Sequence, residues 1–453
     1  MLFNSLEFPI FLAIVFGLYW LLPSDRIRMR NLLLLVASYV FYGWWDWRFL
    51  SLIFLSSLVD YVVGLHIPGS TKRKRRWLLG CSLFMNLGAL GFFKYFNFFV
   101  DSFASFLESM GFQANLPTLQ IILPVGISFY TFQTLSYTID IYRKQIEPTK
   151  DILAFFAFVS FFPQLVAGPI ERAKSLLPQF QIEHKFDPDS AADGARQMLW
   201  GMFKKVVIAD NLAHMVEALF NDYSTLSGLG TFIGVYLFAF QIYCDFSGYS
   251  DIAIGTAKLF GFRLMRNFAY PYFSRDIGEF WRRWHISLST WFRDYIFIPL
   301  GGSRVPKLHR IWNIIVTFTV SGFWHGANWT FVFWGLLNGL YYIPLMLMNK
   351  QKQHTDIVAA GRLLPTLRDA AAMLLTFFMV LIAWVFFRAK NLSHAFAYLG
   401  HMFSHTWLSG LECETGIAWT FLLISIEWFG REKQYGFDVS RFSTPVRWCF
   451  YLG

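Results

Sequence analysis

The stretch from Ile311 to Asn349 runs for 39 residues without a Lys, Arg, Asp or Glu, and nothing else in the chain limits the fold as strongly. A segment this apolar belongs in lipid or in a packed core. As one helix it would extend about 58 Å, nearly twice the ~30 Å of hydrocarbon in a bilayer, so it has to bend or break. The glycines around His325, in Ser321-Gly322-Phe323-Trp324-His325-Gly326-Ala327-Asn328, mark the expected place. The rest of the chain agrees: only 15% of its 453 residues are charged and 55% are hydrophobic, whereas soluble domains carry about 25% charged residues. The 20% aromatic content suits lipid interfaces and packed helices, and the long unbroken apolar runs exclude a barrel of short alternating strands. The expected fold class is all-α, a polytopic transmembrane helix bundle of about 9–12 spans with re-entrant and interfacial helices.

The first third supplies apolar runs at Phe8 to Leu22, Asn31 to Gly43, Phe49 to Ile67, Trp77 to Val100 and Leu119 to Ile141. With the N-terminus outside, the loops at 23–30, 68–76 and 142–150 are cytoplasmic and hold eleven basic residues, against Arg48 alone in the loops at 44–48 and 101–118. That asymmetry is what the positive-inside rule expects. The first run has nothing basic before it and Arg26, Arg28 and Arg30 after it, so it reads as a retained helix and not as a signal peptide. Ile152 to Ala167 has basic flanks on both sides and reads as a re-entrant hairpin. A polar cytoplasmic stretch at 175–200 follows, and apolar segments resume at Val206 to Leu219, Gly230 to Phe246, 311–349, 370–387 and 416–429. The chain reads as one domain, with N-terminal spans in 1–150, a core in 151–350 and C-terminal helices in 351–453. Val446 to Gly453 resemble the opening of another helix, so the native chain is expected to continue.

Soluble-enzyme signatures are missing, including the P-loop, the dinucleotide fingerprint, His-Glu-x-x-His and Gly-x-Ser-x-Gly. Four cysteines far apart support neither a disulfide framework nor a zinc knuckle, and the net charge of +10 reads as orientation and headgroup anchoring, with no nucleic-acid partner. Three features carry possible chemistry. An imidazole at a helix break within the membrane faces protein or water, so His325 is a candidate for proton transfer; the alternative is a structural histidine serving a freed carbonyl. Asn328 lies three residues on, within reach of the ring or a substrate carbonyl.

The second feature is the segment 262–310, where nine basic residues face three acidic ones, leaving +6. Phe280, Trp284, Leu288, Trp291 and Tyr295 recur at helical spacing with Arg282, Arg283 and Arg293 off the stripe, which predicts one interfacial helix on the cytoplasmic side. Such a helix either anchors to anionic lipid or forms a basic mouth for a phosphate-bearing donor. Gly301-Gly302-Ser303-Arg304 would supply a backbone nest for the anion. The third feature is the polar run Tyr243, Asp245, Ser247, Tyr249 and Asp251, expected to form a structural network with the arginines of 263–283. Lys94 is expected to snorkel to the interface. His394, His401 and His405, with Glu412, Cys413 and Glu414 nearby, resemble a metal site only weakly; no metal is expected.

Phe280-Trp281-Arg282-Arg283-Trp284-His285-Ile286-Ser287-Leu288-Ser289-Thr290-Trp291, followed some forty residues later by Trp324-His325-Gly326-Ala327-Asn328, resembles the membrane-bound O-acyltransferase family. Leu33 to Tyr42, Leu123-Pro124-Val125-Gly126-Ile127-Ser128-Phe129, Ala167-Gly168-Pro169-Ile170 and Asp245-Phe246-Ser247-Gly248-Tyr249-Ser250-Asp251 match it too, and the likeness runs to about residue 390. It is strongest to the bacterial branch that O-acetylates alginate, and extends to peptidoglycan O-acetyltransferases and teichoic acid D-alanyl transfer proteins. The resemblance implies a tunnel joining the two faces of a bacterial inner membrane. It also implies that His325 is the catalytic histidine and His285 a second, donor-side histidine, with no permanently bound cofactor. Cys244 departs from the family pattern, where a bulkier aromatic is expected. Acyl transfer from acetyl-CoA or an acyl carrier protein to a hydroxyl needs a base, for which His325 is suited, and a donor to the oxyanion, for which Asn328 and the Trp324 indole are suited. Trp281, Arg282, Arg283, Trp284 and Arg304 are the expected donor-binding residues. The expected partners are the bilayer, the cytoplasmic donor and a polysaccharide or periplasmic O-acetyltransferase as acceptor. The competing reading is a proton-coupled transporter or channel, which would show flux with no covalent acyl change.

Overall fold

A computed structural model describes residues 1–112, 118–403 and 414–436. Among them every regular element is helical, as hydropathy and length require of a chain whose backbone donors and acceptors must be satisfied inside each segment. Five helical runs are long and apolar enough to cross a membrane: Ile27–His66, Lys72–Ser109, Gly228–Leu259, Trp329–Leu347 and Leu367–Arg388. Glu7–Leu21 and Ile152–Leu165 are shorter apolar helices. The protein is a multi-pass membrane protein. The chain divides into two compact units. The first comprises Met1–Asp187, Phe260–Leu264 and Phe323–Asn328; the second comprises Pro188–Leu259, Met265–Gly322 and the described part of Trp329–Gly453.

In the first unit, two of the expected spans form the run Ile27–His66, interrupted where Asp46 turns extended and caps the short turn Trp47–Phe49 through the Arg48 amide. Lys72–Leu90 continues through a π-helical turn, Gly91–Tyr95, into Phe96–Ser109. The expected span from Leu119 is helical only over Ile127–Tyr142. Gly126 starts that helix at φ 75°, and a Cβ there would lie 2.8 Å from the Leu165 carbonyl oxygen. Only glycine meets both conditions without strain. Ile152–Ser160 is capped by Asp151, broken at Phe161 and followed by the turn Phe162–Leu165. At nine residues it is about 13 Å long, too short to cross ~30 Å of hydrocarbon. Its phenylalanines, Phe155, Phe156 and Phe158, are buried.

The sequence shows no obvious cluster of intramembrane carboxylates, yet Asp60 is a completely buried one. Thr138 donates to its Oδ1 at 3.0 Å, Asn86 donates to its Oδ2 at 2.7 Å and Ser82 donates to its Oδ1. Ser56 in turn donates to Asn86. Every partner comes from a neighbouring helix, so hydrophobicity along the strand of sequence carries no trace of it.

In the second unit, Pro188–Met202, expected to be part of a polar cytoplasmic stretch, is a helix packed backbone to backbone on Gly228–Leu259. Gly194 meets Gly255 and Gly201 meets Gly248: a Cβ on Gly194 would lie 2.6 Å from the Gly255 carbonyl oxygen, and one on Gly201 2.6 Å from that of Gly248. The pairs are seven residues apart on both helices and run in opposite order, so the helices are antiparallel. Lys307–His325 and Trp329–Leu347 meet in the same way at Gly322 and Gly335, where an added Cβ on Gly322 would stand 2.2 Å from the Phe331 carbonyl oxygen. The apolar 39-residue stretch thus breaks at Gly326–Asn328, where its sequence requires.

Candidate active site

His325 is the last residue of Lys307–His325 and is half-buried. The last carbonyls of a helix have no partner within it. Two of them are closed from outside, both by the π-helical turn Gly91–Tyr95. The Tyr95 hydroxyl donates to the Phe323 carbonyl at 3.0 Å, and the Lys94 ammonium donates to the Trp324 carbonyl. Lys94 also donates to Ser128 Oγ at 3.3 Å and lies 5.2 Å from the Trp324 ring. Lys94 therefore does not snorkel, because the helix end offers its charge a better partner than the interface. Trp324 is buried, stacked on Phe132 at 5.4 Å and edge-on to Phe129 at 5.7 Å. The His325 ring stands 4.9 Å from it at 78°. Asn328 closes the turn before Trp329–Leu347.

His285 belongs to the second unit. The expected single interfacial helix is two, Ile277–Arg283 and Ile286–Phe292, with Trp284 extended and His285 left-handed at φ 43° between them. The stripe is not at a lipid surface: Phe280, Trp284, Leu288 and Trp291 are all buried. A non-glycine residue in this conformation is held by its surroundings, and such positions concentrate at functional sites. Here the holder is Asn267, fully buried, which sequence reasoning missed. Its Oδ1 faces His285 Nδ1 at 3.2 Å and accepts from Ser287 Oγ at 2.9 Å and from the Ser287 amide at 3.2 Å. An amide oxygen only accepts, so Nδ1 is the donor in this contact. Phe246 lies edge-on to the ring at 4.5 Å. Asn267→Ala is expected to destabilise the protein by about 1–3 kcal/mol for each buried donor it orphans, read as a fall in melting temperature.

Among the expected donor-binding residues, Trp281 packs on Phe318 at 5.4 Å and Trp334 at 5.7 Å, and its buried indole N–H has no partner among the described residues. Trp284 packs among Tyr243, Phe268, Phe280 and Trp384. Arg282 donates to the carbonyls of Gln351 and His354, at 2.5 and 2.6 Å. Arg283 donates to Glu279 and to the Asp356 carbonyl, at 2.8 and 2.9 Å. Arg275 pairs with Glu279 and Asp356, and its hydrogen bond holds the Asp356 carboxyl below the usual carboxylate range. These arginines fasten the segment 351–356. Arg282 and Arg283 also line, with Arg266, Arg431 and Lys433, an open basic cavity of about 400 Å³. The expected anion nest at Gly301 and Gly302 is filled by its own chain, since their amides donate to the carbonyls of Ile298 and Phe297. Arg304 is exposed beside it.

The polar run of Gly228–Leu259 pairs with lysines, not with the arginines of 263–283. Buried Lys204 donates to Ser247 at 2.8 Å and Asp251 at 2.6 Å, and Lys205 donates to Asp245 at 2.5 Å and lies 5.2 Å from the Tyr249 ring. Tyr243 donates to Glu427, another buried acid, at 2.7 Å. Cys244 is buried in this packing. His401 Nε2 bonds the Leu226 carbonyl at 2.7 Å and His394 Nδ1 accepts from the Lys390 amide. His405, Glu412, Cys413 and the stretch from Val446 to Gly453 lie outside the described residues.

A model of the family described as MBOAT, membrane-bound O-acyltransferase family, matches residues 142–392. A protein named probable alginate O-acetylase AlgI in Azotobacter vinelandii is 43% identical over 408 residues, covering 89% of this chain and 78% of that one. Its namesake in Pseudomonas aeruginosa is 41% identical over 449 residues, covering 96% and 82%. The Helicobacter pylori peptidoglycan O-acetyltransferase is 37% identical over 433 residues, covering 89% and 80%. The relatives differ in the acceptor they are named for and agree in moving an acyl group, and with the helical architecture and the motifs at both histidines they show that this chain belongs to the membrane-bound O-acyltransferase family and is an acyltransferase.

Proposed function

We propose that the enzyme takes an acetyl group from a cytoplasmic thioester, acetyl-CoA or an acyl carrier protein, and delivers it across the bacterial inner membrane for O-acetylation of an exported polysaccharide such as alginate. The observation that carries this reading is a half-buried imidazole at a helix break whose flanking carbonyls are closed by Lys94 and Tyr95. The names of the relatives support the acetyl group and the polysaccharide. In this reading the N-terminus is outside and a passage between the helices joins the two compartments.

His325 acts as the base. Its unprotonated nitrogen takes the hydroxyl proton of the acceptor while the oxygen attacks the thioester carbonyl carbon. Asn328 and the Trp324 indole are the donors assigned to the oxyanion. When the tetrahedral intermediate collapses, the C–S bond breaks and the thiolate receives the proton from the imidazolium, leaving an ester and a free thiol. Exclusion of water keeps the thioester from hydrolysis. The acceptor is either the polysaccharide itself or a hydroxyl on a periplasmic O-acetyltransferase that relays the group. His285 supports the donor side, with Trp281 and Trp284 beside it in sequence.

The basic cavity, with Arg282 and Arg283 in its wall, is assigned to the phosphates of the donor. Purified protein in vesicles, supplied with radiolabelled acetyl-CoA, is expected to move label onto the acceptor; no covalent label on any acceptor overturns the reading. Arg266→Gln with Lys433→Gln is expected to raise the donor KM about tenfold at low ionic strength, with the gap closing as salt screens the cavity. Arg282→Gln with Arg283→Gln adds a loss of thermal stability that salt does not change, because both side chains also fasten the segment 351–356.

A further inference from the structure

The charge closest to the Trp324–His325 break lies on a different helix. Lys94 occupies the π-helical turn Gly91–Tyr95, and turns of this kind recur at functional sites because they aim side chains that a regular helix would send elsewhere. Its ammonium donates to the Trp324 carbonyl, one residue before His325, and to Ser128 Oγ. The neighbouring Tyr95 closes the Phe323 carbonyl and stacks on the Phe323 ring at 4.2 Å and 23°. Consecutive residues of one turn thus hold consecutive carbonyls of the helix end that carries the candidate base.

A structural cap needs no charge, and Tyr95 alone shows that a neutral hydroxyl serves. A lysine cation held against a helix end and beside the Trp324 ring costs desolvation that packing alone does not return. What the cation adds is complementarity to the negative end of the helix dipole at the residue before His325. We propose that Lys94 is a positioning residue for acyl transfer: seated on the Trp324 carbonyl with Ser128 beside it, it fixes the helix end so that the His325 imidazole presents a constant nitrogen to the acceptor hydroxyl. The inference rests on the reading of His325 as the base.

The test uses the full-length protein in vesicles with labelled acetyl-CoA. Lys94→Met is expected to lower kcat about 100-fold with the donor KM within about twofold, as small displacements of a reacting group do, and with the melting temperature close to that of the parent. Lys94→Arg, which keeps the cation and its bond to the carbonyl, is expected to recover most of the rate. Lys94→Ala is expected to gain activity when methylammonium is added, an effect that a purely structural loss does not show. Full activity of Lys94→Met beside an inactive His325→Ala overturns the inference and leaves the base intact. Loss of thermal stability in step with rate, unrelieved by arginine or methylammonium, reduces Lys94 to a folding role and also overturns it. If His325→Ala is itself fully active, the reading of the base fails first.

Discussion

His325→Ala is expected to lower acyl transfer by roughly 100- to 10,000-fold, the range that a lone general base contributes, while the protein inserts and is recovered at the parent level. The separation of the two effects follows from where the side chain sits. Trp324, one residue earlier, carries the packing at this point, buried against Phe129 and Phe132. The carbonyls of the helix end are closed through Phe323 and Trp324 and not through His325. Removing the imidazole therefore takes away a titratable nitrogen and little of the core. The measurement is the acetyl content of the polysaccharide in cells, paired with label transfer by purified protein. Unchanged acetyl content with normal expression would remove His325 from the chemistry.

The second large effect is on folding. Gly255→Leu should prevent accumulation of folded protein, because a Cβ at that position would stand 2.4 Å from the Gly194 carbonyl oxygen, where no side chain can yield. Gly201→Leu should do the same through the Gly248 carbonyl. The two helices must separate to admit either residue, at a cost above the ~1–3 kcal/mol of ordinary overpacking. The control is Gly88→Leu, within Lys72–Leu90, where an added Cβ meets nothing within 4 Å. It should express normally, since leucine is the better helix former by close to 1 kcal/mol. Monodispersity and melting temperature in detergent read both outcomes, and a folded Gly255→Leu protein would show that the glycine contacts are not obligatory.

Parts of this architecture are visible along the chain because they depend on composition within one segment. The break of Ile311–Asn349 follows from length against bilayer thickness, and it falls at Gly326–Asn328 as the glycines indicate. The span expected from Leu119 failed in its first third because an apolar run does not distinguish extended backbone from helix. The stripe from Phe280 to Tyr295 failed for a related reason. Its spacing is helical, but Asn267 holds His285 in a left-handed corner that periodicity cannot register. One signal was present and went unread, the seven-residue spacing of Gly194 with Gly201 and of Gly248 with Gly255, which marks a close helix crossing.

The same division runs through the candidate site. His325 and its glycines stand out in one dimension because an ionisable group in an apolar run is conspicuous wherever it folds. Lys94, Ser128 and Asn267 do not, because each matters through a partner distant in sequence: 230 residues separate Lys94 from Trp324. Asp251 needed a cation, yet only the fold could decide that Lys204, and no arginine of 263–283, supplies it. What the residues settle by themselves is the solvent each segment tolerates, since transfer free energies are nearly additive along a chain. Which polar groups meet is a property of helices brought side by side, and there the tertiary structure alone decides.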